Sequence, residues 1–261
     1  MRLGLGPIAL EMATRTQLES LAGAAVAASF DAVWVAESRA VGVGGGLAAA
    51  AMLAQAVPIR VGAAVDAGLY HPLYLAEDIA IADLTSGGRI EVLLRYADVA
   101  ASRYEAPTGR AWWEEFLNVL ADALSGAHIQ FDGAHLRVPA RIEANQPAPE
   151  RLALNPRPAQ PSVPIWVEST DTGLEHLARD MGFGIASHFQ SGSSVPAGTG
   201  RWPGMLLCPG GVQANALLVA AGESAGYFVV PAESPDEVAH AGRRLAGPLR
   251  MPDLPAWISS Q

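Results

Sequence analysis

The sequence predicts a (β/α)8 barrel, and three observations lead to that fold. Short apolar runs with the composition of buried strands alternate with longer segments of helical periodicity along most of the chain. About eight such units follow one another, the number that closes a parallel barrel. The alternative, an open doubly wound sheet, lacks its dinucleotide-binding motif, because Pro7 and Ile8 in GLGPIA stand where a G-x-G-x-x-G turn is required.

Each unit of the barrel has a predicted strand, and most have a helix. The strands are Arg2–Leu5, Ala32–Ala36, Ile59–Val65, Ile90–Leu94, Ile165–Val167, Gly184–Ala186, Met205–Leu207 and Tyr227–Val230. The helices are Thr14–Ser29, Leu47–Ala56, Pro72–Leu84, Trp112–Leu124, Thr172–Met181, Gln213–Ala221 and Pro235–Leu245. Residues 126–164 are rich in proline and lack a long helical period, which predicts a surface excursion. We expect one domain over residues 1–261, with a shortened or irregular C-terminal half.

Composition excludes several classes of protein. Half of the 261 residues are hydrophobic and only 16% are charged, which argues against disorder. A net charge of −9 argues against nucleic acid as a partner, and one cysteine excludes an intramolecular disulfide framework or a multi-cysteine zinc site. All 17 basic residues are arginine, so neither a Schiff-base lysine nor a P-loop lysine is available. Because no export signal or long apolar stretch stands out, we expect a cytoplasmic protein with no membrane partner and a reduced Cys208.

Two segments carry a more specific pattern than periodicity. The first combines FDAVWVAES, IRVGAAV and HPLYLAEDIAIADLTSGGRIEVLLR, and the second is VPIWVESTDTGLEHLARDMGFG. Together they resemble the bacterial luciferase-like flavin-dependent monooxygenases, from Arg2 to about Gly184. The resemblance implies the same barrel fold. It also implies that FMN, acting as reduced FMN, or the deazaflavin F420 binds at the C-terminal mouth of the barrel.

The VESTDT segment resembles the luciferase segment that holds the FMN phosphate. By this resemblance Ser169 and Thr172 bind the phosphate through their side chains and Glu168 through its backbone. The physical chemistry agrees, since hydroxyls and free amides between a strand and a helix attract an anion. The same residue types also favour an ordinary helix N-cap, so both interpretations stay open.

Three further residues are implied in cofactor binding. Arg95 ends the fourth strand, where luciferases place an arginine that contacts the phosphate; an exposed arginine is the alternative. Ala63 and Ala64 match the small residues where luciferases carry a non-prolyl cis peptide beneath the flavin ring. An ordinary strand end of small residues is equally compatible with IRVGAAV.

The candidate catalytic residues are Glu37, Ser38 and His188. Family members usually carry a histidine directly after the glutamate of the second strand, whereas this chain reads Glu37-Ser38-Arg39. Glu37 and His188 are the candidate acid–base groups. His188 is the histidine considered for the pocket, because it follows the sixth predicted strand at the active-site end of the barrel.

The leading functional hypothesis is an FMN-dependent monooxygenase that acts on a small organic or secondary-metabolite substrate. A separate flavin reductase would supply the reduced FMN, and a homodimer is the expected assembly. An F420-dependent oxidoreductase on the same fold is the second hypothesis. A flavin-binding protein without turnover is the third, favoured by the missing histidine.

Overall fold

The computed structural model describes residues 1–37, 44–95, 109–126, 128–138, 153–169, 171–190, 196, 198–199, 201–209, 212, 216–217, 220 and 226–249. The strands are β1 (Arg2–Ala9), β2 (Ala32–Ala36), β3 (Arg60–Asp66), β4 (Ile90–Arg95), β5 (Phe131–Asp132), β6 (Arg137–Val138), β7 (Ile165–Glu168), β8 (Gly184–His188), β9 (Gly204–Leu207) and β10 (Gly226–Val230). The helices are α1 (Arg15–Ala27), α2 (Gly45–Ala56), α3 (Pro72–Ser86), α4 (Arg110–Ser125), α5 (Thr172–Asp180) and α6 (Pro235–Leu249).

Eight parallel strands close into a barrel in the order β1-β10-β9-β8-β7-β4-β3-β2. The helices pack against its outer surface, as the buried faces of α1 to α4 show. The predicted (β/α)8 fold is therefore confirmed, and every predicted strand is present. The largest differences lie at the carboxyl ends, where β1 continues to Ala9 and β8 continues to His188.

The helix ends follow local sequence signals. Thr14 and Gln17 form a reciprocal capping box at the start of α1. His71 caps α3 by accepting the Leu73 amide on Nδ1 at 3.2 Å, and Pro72 occupies the first helical position. Gly87 ends α3 with a left-handed φ of 68°. Among the described helices, none is both long and apolar enough to cross a membrane.

Large aromatic side chains fill the barrel interior opposite glycines. Trp34 packs edge-on against Trp166, with ring centroids 6.0 Å apart, and both are fully buried. A Cβ atom on Gly62 would overlap the Trp34 ring, and one on Gly184 would overlap the Trp166 ring. A tryptophan on one strand thus packs over a glycine on the neighbouring strand, and the barrel interior is a packed core.

A charged cluster closes the amino-terminal end of the barrel, here called the floor and formed by Arg2, Arg60, Glu91 and Tyr227. Glu91 Oε1 accepts hydrogen bonds from Arg2 Nη2 at 2.6 Å and Arg60 Nε at 2.5 Å. Glu91 Oε2 accepts from the Tyr227 hydroxyl at 2.8 Å, which itself accepts from Trp34 Nε1 at 2.7 Å. Both carboxylate oxygens of this fully buried residue are therefore paired.

The predicted excursion at 126–164 contains a short antiparallel hairpin, β5 and β6. Glu115 of α4 fixes its turn by accepting backbone amides of residues 134, 135 and 136 at 2.7–2.8 Å. Further along, Gln160 bonds both carboxylate oxygens of the buried Asp83 on α3 and the floor residue Arg60. Two-residue strands carry no periodicity, so the sequence did not predict the hairpin.

The C-terminal half has all of its strands, and much of the chain between them lies outside the described residues. The described residues between β8 and β9 are not helical, whereas α6 follows β10 regularly. Most of the predicted helix Gln213–Ala221 lies outside the described residues. Because β9 and β10 close the sheet, no barrel strand is missing from this half, and an irregular course between the strands stays a prediction.

Candidate functional site

Charged side chains occupy the ends of four adjacent strands at the carboxyl end of the barrel, here called the mouth. These residues, the mouth row, are Asp66 on β3, Arg95 on β4, Glu168 on β7 and His188 on β8. Asp66 and Arg95 are in register, and Glu168 follows the last registered pair of β4 and β7. Active sites of such barrels form at this end, which makes the mouth the candidate site.

Arg95 is held inside the mouth row by two contacts. Its Nη2 lies 3.1 Å from Asp66 Oδ1 and donates to the backbone carbonyl of Glu37 at 2.8 Å. Its Nε is buried and has no hydrogen-bond partner among the described residues. The expected alternatives were a phosphate-contacting or an exposed arginine. Instead, Arg95 is half-buried in an ion pair with Asp66.

Glu168 and His188 form the other pair of the mouth row. Glu168 Oε1 lies 2.8 Å from His188 Nε2, and the His188 side chain is 62% exposed. A carboxylate that holds one ring nitrogen orients the imidazole and leaves its other nitrogen toward solvent or a ligand. The two residues were expected in separate roles, and the structure brings them together.

Glu37 lies behind the mouth, on the side of the helices. It is 3% exposed and accepts a hydrogen bond from the Tyr70 hydroxyl on Oε1 at 2.5 Å. Tyr70 in turn accepts the Gly44 amide at 2.7 Å, and Gly46 of α2 packs against the Glu37 side chain. Oε2 of Glu37 is buried without a hydrogen-bond partner.

Burial raises the pKa of Glu37 above its ordinary value, and the Tyr70 hydroxyl and the nearby amides of Gly46 and Gly44 oppose this effect only in part. Burial and the Glu37 carboxylate together raise the pKa of Tyr70, so its hydroxyl stays protonated and donates. Burial therefore favours the protonated form of Glu37 more than in an exposed glutamate. Ser38, the other candidate on this segment, lies outside the described residues.

The start of α5 is built by Ser169 and Asp171. Ser169 Oγ accepts the Asp171 amide at 2.9 Å and lies 3.2 Å from the Asp171 carbonyl oxygen. Asp171 caps the helix, since its Oδ1 accepts the amides of Gly173 at 2.7 Å and Leu174 at 3.2 Å. Thr172 is exposed in the first turn. The N-cap interpretation therefore describes this turn, with Asp171 as the capping residue.

A cavity of about 380 Å³ opens between the amino-terminal ends of α4 and α5. Its lining consists of Gly109, Arg110, Trp113, Glu168, Ser169, Asp171 and Leu174. A Cβ on Gly173 would lie 2.9 Å from Arg110 Nη1 and 3.1 Å from Asp171 Oδ1, so both groups lie beside that glycine. Sequence reasoning missed Arg110 because it started the helix at Trp112. The preceding Gly109 was the signal available for an earlier start.

The cis peptide that the resemblance implies at Ala63 and Ala64 is wrong, and the ordinary strand end describes this segment. The peptide bonds of this strand are trans, since the described chain has cis bonds only before Pro7 and Pro156. Ala64 lies in the inner cluster of the barrel, whereas Ala63 lies in the cluster between strands and helices. Because side chains alternate along β3, Ala63 points away from the mouth and cannot contact a ligand there through its methyl group.

Several other residues have structural roles. His71 serves as the cap of α3, and burial lowers its pKa. Burial raises the pKa of Cys208 to about 12, so its thiol is not a ready nucleophile. Trp112 and Trp113 lie in the core beside Phe116, and Trp113 also reaches the cavity wall.

A flavin or deazaflavin fits the mouth in one part and conflicts with it in another. Ala36, Ala64 and Ala186 present small side chains in the inner cluster, and Arg95 ends β4 at the same mouth with 27% of its side chain exposed. Arg110 and the start of α4, which has no side-chain cap, attract an anionic tail. The Asp171 carboxylate, by contrast, already occupies the amides that would receive a phosphate.

Comparison with protein families agrees with this geometry. The sequence model of the family described as luciferase-like monooxygenase matches residues 5–193. No curated protein sequence matches the chain.

Several solved structures share the fold at low sequence identity. One is an F420-dependent secondary alcohol dehydrogenase in complex with an F420-acetone adduct, at 13% identity and a TM-score of 0.73, with 96% of this chain and 99% of that chain covered. Another is the coenzyme F420-dependent tetrahydromethanopterin reductase from Methanopyrus kandleri, at 12% identity and a TM-score of 0.69. The match covers 95% of this chain and 99% of that chain. A monooxygenase from Streptomyces bottropensis matches at 16% identity and a TM-score of 0.62. That match covers 95% of this chain and 98% of that chain.

Proposed function

The chain belongs to the luciferase-like monooxygenase family, and from that premise we propose that it is an oxidoreductase that binds a flavin or deazaflavin at the mouth of its barrel. The observation that carries the proposal is the cavity between α4 and α5, whose lining includes Arg110, Ser169 and one member of the mouth row, Glu168. Two finer hypotheses remain: oxygen-dependent monooxygenation with reduced FMN, and hydride transfer with F420. The substrate class in either case is a small organic molecule.

The bound cofactor would supply the redox chemistry, either oxygen activation by reduced flavin or hydride transfer by deazaflavin. The chain contributes position, exclusion of water and proton handling. Arg110 would hold the anionic tail, and the exposed part of the Arg95 guanidinium would face the ring. The packed layer of Trp34 and Trp166 closes the barrel below the mouth and keeps water out from that side.

His188 and Glu37 are the proposed proton-handling groups. His188 is exposed at the mouth and oriented by Glu168 at 2.8 Å, which suits a general acid or base. Glu37 is bonded to Tyr70 and stays protonated more readily than an exposed glutamate, because burial raises its pKa. The missing family histidine favours a catalytically weak protein as the alternative, and binding without turnover is its expected signature.

The test is a titration of the full chain with FMN, reduced FMN and F420, followed by absorbance and fluorescence. We expect at least one of them to bind, and Arg110→Ala to weaken that binding about tenfold through loss of a charge-assisted contact. Arg137→Ala is the matched control, because Arg137 pairs with Asp132 on the exposed hairpin. Failure of all three cofactors to bind would overturn the proposal.

Binding then decides which reaction to test. A protein that binds reduced FMN is screened for oxygen consumption with small organic substrates, and one that binds F420 is screened anaerobically for its reduction. The separate flavin reductase and the homodimer remain predictions. Reductase coupling and the molar mass in solution test them.

A further inference from the structure

We infer that the substrate of the proposed reaction is an uncharged molecule with an apolar body, and that Leu207 on β9 is a specificity-determining residue that contacts it. The inference rests on the proposed function, because it concerns the half of the mouth that the proposed cofactor leaves open. It excludes carboxylates, sulfonates and phosphorylated compounds as the substrate class.

The residues that end the barrel strands divide the mouth into two halves. β3, β4, β7 and β8 are neighbours in the barrel and end in the mouth row. The other four barrel strands, β9, β10, β1 and β2, are also neighbours, and they end in Leu207, Val230, Ala9 and Ala36. These four strand ends are here called the apolar arc. One continuous half of the mouth is therefore ionisable, and the other half is apolar.

The barrel interior opens toward the mouth on the apolar arc. In the inner cluster, Ala36 and Leu207 are each 8% exposed, whereas every other buried member is at most 1% exposed. Both residues end strands of the apolar arc. A ligand in the mouth can therefore reach the packed interior through the Ala36 methyl group and the Leu207 side chain.

Leu207 lies beside the proposed proton-handling group. β8 and β9 are parallel, and His188 is the residue opposite Leu207 in their register. On its other side, Leu207 is in register with Val229 of β10, which belongs to the same inner cluster. Registered neighbours in a sheet present their side chains on the same face. A substrate whose reacting group faces His188 thus has an apolar wall along the next two strands.

The proposed cofactor leaves the apolar arc open. Its tail would enter the cavity between α4 and α5, and these helices follow β4 and β7 of the ionisable half. Arg95, which would face the ring, ends β4 in the same half. The space left for a substrate is therefore bounded by the apolar arc and His188.

Electrostatics disfavours an anionic substrate in this space. Arg95 lies 3.1 Å from Asp66, and His188 lies 2.8 Å from Glu168, so both basic groups of the mouth row already face carboxylates. Glu11 is exposed two residues after β1 and adds a further carboxylate beside the apolar arc. An anion bound on the arc would lose hydration without a basic side chain at any of its four strand ends. An uncharged substrate has no such cost.

Two fluorescent probes that differ by one sulfonate test the substrate class. N-phenylnaphthylamine is uncharged, the corresponding anilinonaphthalenesulfonate adds one negative charge, and both fluoresce strongly in apolar sites. Each probe is titrated into the full chain at pH 7. We expect the uncharged probe to bind about tenfold more tightly, because the sulfonate has no counter-ion on the apolar arc.

The substitution Leu207→Gln locates the binding site. It places an amide against the probe at similar side-chain length, so we expect the uncharged probe to bind about tenfold more weakly. Leu84→Gln is the matched control, because it makes the same change on the outer helix α3 at a 45% exposed position. It should leave the affinity unchanged. Ala36→Val is a second variant that keeps the arc apolar and narrows it, and it should also weaken binding if Leu207→Gln does not fold.

A competition titration separates the two halves of the mouth. Saturation with the uncharged probe should leave the affinity for flavin or F420 unchanged, because probe and cofactor occupy different halves. Displacement of the cofactor by the probe would overturn the inference. Equal affinity for the two probes would also overturn it, as would unchanged probe binding in both Leu207→Gln and Ala36→Val.

Cofactor binding measured without a probe distinguishes failure of this inference from failure of the proposed function. If a cofactor binds while the probes give one of the contrary results, the proposed function stands and the substrate class is wrong. If neither the flavins nor F420 bind, the proposed function fails, and the substrate class fails with it.

Discussion

The floor and the mouth of the barrel each bury a glutamate, with opposite consequences. At the floor, Glu91 has both oxygens paired with Arg2, Arg60 and Tyr227, and the arginines lower its pKa despite complete burial. Behind the mouth, Glu37 has one oxygen on Tyr70 and the other unpaired, and burial raises its pKa. The environment of the same side chain thus favours the carboxylate at one end and disfavours it at the other.

This difference separates stability from function within one fold. Buried polar groups are normally satisfied, and each exception calls for an explanation. The floor has satisfied groups and a structural role. Among the described residues, three buried polar atoms lack a hydrogen-bond partner: Glu37 Oε2 and Arg95 Nε beside the candidate site, and Arg244 Nε on α6.

The largest expected effect is at the floor. Glu91→Gln removes the negative charge and leaves Arg2 and Arg60 largely without their counter-ion in a buried site. We expect the free energy of unfolding in urea to fall by about 3–5 kcal/mol. Arg137→Ala, which breaks an exposed pair with Asp132, should change it by less than about 1 kcal/mol. Similar losses in the free energy of unfolding for both variants would contradict the difference expected between the buried floor and an exposed ion pair.

A smaller loss is expected just above the floor. Gly62 is in register with Glu91 and faces the Trp34 ring, so Gly62→Ala must displace the indole that bonds Tyr227. We expect a destabilisation of about 1–3 kcal/mol, measured by thermal unfolding. In the control Gly23→Ala on α1, the new methyl meets open space and should stabilise the helix by about 0.5–1 kcal/mol.

The mouth should tolerate loss of a partner better than the floor. Tyr70→Phe removes the donor to Glu37, which can respond by holding its proton. We therefore expect a loss of only about 1–2 kcal/mol in urea unfolding at pH 7. Tyr74→Phe, at a 64% exposed position, should leave the free energy of unfolding unchanged. A loss for Tyr70→Phe as large as that for Glu91→Gln would contradict the idea that Glu37 tolerates loss of its donor by staying protonated.

The smallest effect is a pH dependence of opposite sign at the two sites. Because the folded-state pKa of Glu37 is raised, ionising it opposes folding, and this penalty grows as pH rises above the ordinary value of 4.5. Glu37→Gln should therefore gain stability relative to the unmodified chain between pH 4.5 and 7. Glu91, whose pKa is lowered, contributes fully to the free energy of unfolding above pH 4.5. That contribution is lost as the pH falls through its folded-state pKa. Urea unfolding across this range measures both.

Much of the fold follows from local sequence. The apolar runs at Ala32–Ala36 and Ile90–Leu94 are too short for helices, and Pro72 after His71 marks a helix start that the structure retains. Strand count and alternation then leave few topologies open. The same local signals placed Arg95, Glu168 and His188 at strand ends, and hence at the mouth.

The sequence by itself therefore determined the barrel, its family and the end of the barrel that carries the site. Only the tertiary structure decided which side chains meet there. Arg95 with Asp66, Glu168 with His188 and Glu37 with Tyr70 are pairs of residues at least 20 positions apart. Periodicity reports which face of its own element a residue occupies, but a contact between elements depends on register and closure, which the packing of the whole barrel sets.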